Sequence, residues 1–173
     1  MLIQLGCGVA AGQNPETPVP EALRPAEGEV LLMSLQAEGV QVYECTLTRR
    51  ATSTYEWVLV EPDAKLYDAH QRQIGWHDAG PAWHAQDGST IVGTVQQKVS
   101  APVPGAIPWL LLSARSVGKA GVFSPVTSIQ RVNTSGGSAP PARCSAEIEG
   151  DTSRVGYSAE YRFYGGSHRI ARR

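Results

Sequence analysis

Gly75-Trp76-His77-Asp78-Ala79-Gly80-Pro81-Ala82-Trp83-His84-Ala85-Gln86-Asp87-Gly88-Ser89 reads as short extended pieces divided by turn residues, and it sets the class of the chain around it. Gly80-Pro81 halts one extended piece, residues 82–85 resume it, and Asp87-Gly88 is a strong turn dipeptide. Just upstream, residues 63–68 and 73–77 flank a polar turn and suggest a hairpin. Just downstream, residues 89–100 form the longest strand candidate, with Thr90, Val92 and Thr94 alternating with Ile91, Gly93 and Val95.

The pattern continues outward. Residues 29–37 and 40–48 are apolar or β-branched runs joined by Glu38-Gly39, a natural hairpin link. Residues 54–60 place Tyr55, Trp57 and Leu59 on one face, and Pro62 is expected to end that strand. The wholly apolar piece 109–114 suits a strand buried on both sides or a short helix. Residues 122–132 read as a strand that Pro125 makes an edge or a bulge. Residues 155–164 alternate strictly, with Ala159, Tyr161 and Phe163 facing one way and Glu160, Arg162 and Tyr164 the other. The expectation is an all-β, single-domain antiparallel sandwich or closed barrel of about nine short strands, with little helix.

The chain has 173 residues, enough for one domain with a real core, and 18 Gly and 12 Pro spread along it suit many turns. A formal net charge of −1 argues against a nucleic-acid partner. No run approaches the ~20 apolar residues of a membrane span. Residues 1–12 read as the tail of a secretory signal, 13–28 as a Pro-rich lead-in that is extended or disordered, 29–165 as the β domain and 166–173 as a basic tail. Gly6-x-Gly8-x-x-Ala11 fits a dinucleotide fingerprint, but Pro15, Pro18, Pro20 and Pro25 forbid the helix it needs. No cofactor is expected. Of Cys7, Cys45 and Cys144, the last two remain after leader removal. A bridge between them would be worth about 4–5 kcal/mol in the chain-entropy model. It would place the protein in an oxidising compartment, secreted or periplasmic. The alternative is two free buried thiols in the cytosol.

Several segments together resemble one family. They include Gly39-Val40-Gln41-Val42-Tyr43-Glu44-Cys45, Pro62-Asp63-Ala64-Lys65-Leu66, Gly75-x-His77-x-Ala79-Gly80-Pro81-x-Trp83 and Asp87-Gly88-Ser89. Ile107-Pro108-Trp109-Leu110-Leu111-Leu112, Ile129-Gln130-Arg131-Val132-Asn133-Thr134 and Tyr157-x-Ala159-x-Tyr161-x-Phe163-Tyr164 complete the set. In this order, from about Pro20 to Tyr164, they resemble the mostly exported bacterial and fungal family known as domain of unknown function 3455. The resemblance implies a secreted domain with Cys45 paired to Cys144, and implies no activity. His84 stands where that family is usually acidic and Trp76 where it is variable, which counts against His84 as an essential ligand.

His77 and His84 could join Asp78 or Asp87 around a metal, since imidazole and carboxylate are ordinary ligands. No HxH or HExxH spacing supports this, and structural roles for both imidazoles explain them more simply. Trp57, Trp83, Trp109, Tyr43, Tyr161 and Tyr164 could line a cleft for a sugar or an apolar molecule; core packing is the plainer account of most of them. Trp83, just after Gly80-Pro81, is expected on an exposed loop rim near His77. Arg131 could clamp a carboxylate or sulfate, or pair with Glu44 or Asp87 inside the fold. Serine hydrolysis lacks a Gly-x-Ser-x-Gly elbow. The leading expectation is a domain that binds a carbohydrate or other small ligand through His77, Trp83, Arg131 and Trp109. The alternatives are a metal-dependent or hydrolytic enzyme using His77 with Asp78 or Asp87, and a structural envelope protein without a ligand.

Overall fold

A computed structural model describes residues 18–49 and 53–166. The expected leader, the start of the lead-in and residues 167–173 of the basic tail lie outside the described residues. Eight strands make up the fold among the described residues: β1 (Glu29–Arg49), β2 (Ser53–Tyr67), β3 (Gln73–Asp78), β4 (Ala82–Ala85), β5 (Thr90–Val99), β6 (Trp109–Ser116), β7 (Ser128–Gly136) and β8 (Thr152–Gly166). Each pairs antiparallel with the next, and β8 pairs back onto β1. The sheet therefore closes as a barrel and has no free edge. This decides between the sandwich and the barrel. No helix among the described residues is long and apolar enough to cross a membrane.

The strands are fewer and longer than expected, for two physical reasons. Residues 29–37 and 40–48 are one strand, because Gly39 is a close-approach point and not a turn. A Cβ on Gly39 would run into the Asp63 carbonyl and come 2.7 Å from the Cβ of Ala64 on β2. Likewise β2 runs through Pro62, whose missing N–H falls beside a register shift between Val42 and Tyr43. Residues 109–114 are strand, not helix. The expected strand at 122–132 begins only at Ser128, after a turn that buries Phe123 and Val126. Residues 155–164 alternate as read, with Ala159, Tyr161 and Phe163 buried inside.

Asp87-Gly88 forms the expected turn, with Gly88 at φ 88° and its N–H donating to the Ala85 carbonyl at 3.0 Å. Asp87 does more than shape it. Its Oδ1 accepts from the Ser89 N–H (2.8 Å) and hydroxyl (2.6 Å), and its Oδ2 accepts from the Val122 N–H at 2.7 Å, which fixes the β6–β7 connection.

The described part of the lead-in is packed onto the barrel. A short 3-10 turn, Glu21–Leu23, lies on the outside of the barrel, and fully buried Leu23 packs with Trp109 and Val132. Gln130 Nε2 donates to the Leu23 carbonyl at 2.5 Å. Burial of that leucine contributes about 1.5–3 kcal/mol. Cys45 on β1 is joined to Cys144, 99 residues on, with their Cα atoms 5.5 Å apart. The bond ties the segment between β7 and β8 to the barrel wall.

Candidate functional site

The β3–β4 hairpin carries the two Trp-His pairs in register. His77 lies opposite Trp83 and Trp76 opposite His84. Side chains alternate between faces, so one cross-strand pair points into the barrel and the other out of it. The inner rings stack at a centroid distance of 4.2 Å and 10° between planes, and the outer rings at 5.0 Å and 13°.

The inner pair is buried. Trp83 is 1% exposed, so it sits in strand β4 and not on a loop rim. The Gly80-Pro81 turn is too tight to lift it out. His77 covers one face of its indole, and Tyr161 meets both rings edge-on, at 5.2 Å from His77 and 5.4 Å from Trp83. His77 Nδ1 lies 2.7 Å from the Ala82 carbonyl. A carbonyl only accepts, so Nδ1 carries the proton and Nε2 keeps a lone pair. Burial lowers the imidazole from its ordinary 6.5 to about 4. His77 is therefore neutral at pH 7.

Above this pair, one mouth of the barrel opens into a cavity of about 540 Å³. His77, Trp83 and Arg131 all line it, together with Tyr43, Trp57 and Tyr161. Buried side chains form its floor, and Leu59, Val60 and Val95, each about half exposed, form an apolar rim. Arg131, half-buried on β7, lies against Pro108 of the β5–β6 connection, whose carbonyl accepts from its Nε (3.0 Å) and Nη2 (2.8 Å). It pairs with neither Glu44 nor Asp87. Asp87 is taken up in its own turn, and Arg131 is turned toward the loop over the mouth.

Three side chains on the floor carry donors with no hydrogen-bond partner among the described residues: Gln41 Nε2, Trp83 Nε1 and the Tyr161 hydroxyl. The Tyr161 phenol is raised by burial, and the Arg131 charge, with hydrogen bonding toward Tyr157 and Arg131, offsets part of that; these contacts are too long or too bent to count as full hydrogen bonds.

Other candidates fall elsewhere. Trp109 is buried on the outside of β6 under the lead-in, because Leu110 and Leu112 take the inward positions. It does not line the cavity. Tyr164 also faces outward and donates to Gln130 Oε1 at 2.8 Å. His84 sits on the outer wall, its Nε2 2.9 Å from Asp78 Oδ1 and its Nδ1 3.2 Å from Thr90 Oγ1. The two histidines therefore cannot share a metal, and neither Asp78 nor Asp87 hydrogen-bonds to His77. No three His, Cys, Asp or Glu side chains form a metal-holding group among the described residues. Sequence reasoning passed over Gln41. Its signal was present: a polar residue in phase with Tyr43 and Cys45, on the inward side of an alternating run.

The fold and this geometry define a closed antiparallel eight-stranded barrel with a partly polar cavity at one mouth. The chain belongs to the family described as Protein of unknown function (DUF3455), which matches residues 25–165. No curated protein and no solved structure matches it.

Proposed function

We propose that this is an exported barrel domain that binds one small ligand in its mouth. A barrel of eight strands has an interior that is either filled by side chains or holds a single small molecule. Here much of the interior is filled, by residues such as Leu35, Leu66 and Phe163, and space opens near the hairpin of the inner pair. The observation that carries the reading is the cavity itself, about 540 Å³ and lined by side chains from all eight strands, with a guanidinium among otherwise largely apolar walls. The Cys45–Cys144 bond favours an oxidising compartment, hence export.

The carbohydrate reading loses its stacking platform at Trp83, because His77 covers the indole and Gly93 approaches its edge. A Cβ added at Gly93 would come 2.8 Å from Trp83 Cζ3. The apolar rim favours a ligand with an apolar body instead. N-phenyl-1-naphthylamine, a neutral fluorophore that brightens in apolar surroundings, tests the site. It should bind saturably at one per chain. Plugging the rim with Leu59→Trp and Val95→Trp should abolish this with little change in melting temperature. Absence of saturable binding, or binding indifferent to the plug, would contradict the proposal.

A further inference from the structure

We infer that the ligand of this cavity is an organic monocarboxylate with an apolar body, its carboxylate held by Arg131. The inference rests on the ligand-binding reading above and names the class of ligand.

The first ground is an uncompensated charge. Among the described residues the ion pairs are Arg24–Glu21, Arg72–Asp68, His84–Asp78, Arg154–Asp63 and Arg162–Glu160. Arg131 has none. It gives two of its five N–H groups to the neutral Pro108 carbonyl, and its side chain lines the cavity beside Tyr161. Its field reaches across the site, opposing protonation of His77 and favouring ionisation of Tyr43, Tyr157 and Tyr161. A half-buried guanidinium without a carboxylate partner suits a planar, two-oxygen anion.

The second ground is the sign of the lining. The other charged lining residues are Lys98, which is exposed, and Glu61. With Arg131 they give the lining a formal charge of +1. His77 is neutral and adds none. One guanidinium facing an apolar enclosure matches a single negative charge better than a phosphate dianion, which would need a second buried cation.

The third ground is the wall. Pro62, Leu110 and Leu112, with the rim of Leu59, Val60 and Val95, surround the polar patch with apolar surface. That surface takes a hydrocarbon or aryl body while the carboxylate reaches Arg131.

The test compares hexanoate with hexanamide, and benzoate with benzamide, as competitors of N-phenyl-1-naphthylamine on the whole chain in low salt. Each carboxylate should displace the probe at a concentration at least tenfold below that of its amide. Arg131→Gln should bring the ratio toward one, and Arg131→Lys should keep part of it. Phenyl phosphate should compete more weakly than benzoate. Equal potency of acid and amide on the wild-type chain overturns the inference without any variant. A preference that survives intact in Arg131→Gln overturns the role of Arg131. Failure of the probe itself to bind overturns the cavity reading; probe binding without an acid preference overturns only the anion.

Discussion

The inner and outer pairs of the β3–β4 hairpin hold the same two residue types, in the same cross-strand stack, a few ångströms apart. Trp83 and His77 are buried inside the barrel, whereas Trp76 is 43% exposed and His84 is tied to a surface carboxylate. The two pairs exchange strands and point to opposite faces of the sheet. The face sets the energy each pair contributes and whether it can form part of a site. A local motif such as Trp-His therefore has no meaning until the period-two phase of its strand is known.

The largest expected difference is in stability. Trp83→Ala should cost about 3–5 kcal/mol, the range for truncating a core aromatic. Trp76→Ala should cost about 1 kcal/mol or less, chiefly the loss of an exposed stack. Urea unfolding of the two variants measures both, and equal losses would break the comparison. Removal of the bond between Cys45 and Cys144, remote from both pairs, should cost about 2–5 kcal/mol. Its effect should add to that of Trp76→Ala, since the sites share no partner.

Acid sharpens the contrast. His77 has an ordinary value of 6.5 when unfolded and about 4 when folded, so between those values the unfolded chain binds more protons. Its contribution is fully present above about pH 6.5, falls as pH is lowered toward 4, and is gone below that. The total is on the order of 3 kcal/mol. His77→Phe should flatten this part of the stability profile. A wild-type profile that is already flat between pH 6.5 and 4 would place the imidazole in a more solvated setting. The smallest effect belongs to the outer wall. Asp78→Asn breaks only the partly exposed link to His84 and should change stability by about 0–1 kcal/mol at pH 7.

Much of the barrel was legible in residues. The alternation of Ala159, Tyr161 and Phe163 and the Asp87-Gly88 turn depend on neighbours along the chain, and both read correctly. Gly39 and Pro62 misled, because a strand passing close to another backbone, or past a bulge, uses the same residues as a turn. Closure of β8 onto β1 joins residues more than 100 apart and leaves no local mark. The site shows the same division. The chemistry of His77, Trp83 and Arg131 marks each of them in the sequence, and it takes the closed barrel to bring β3, β4 and β7 to one cavity. Trp109 has the same chemistry but points outward, into a cluster completed by the Pro-rich lead-in. Nothing in that lead-in's composition announced that Leu23 would be buried.

The most direct measurement is the side-chain nitrogen NMR spectrum of the histidines, recorded against pH and then with added benzoate. The account predicts a neutral, Nδ1-protonated His77 that holds its tautomer down to about pH 5 and shifts as benzoate binds, while the His84 resonances stay in place. A His77 that titrates near its ordinary 6.5, or benzoate shifts that appear at His84 and not at His77, would contradict it.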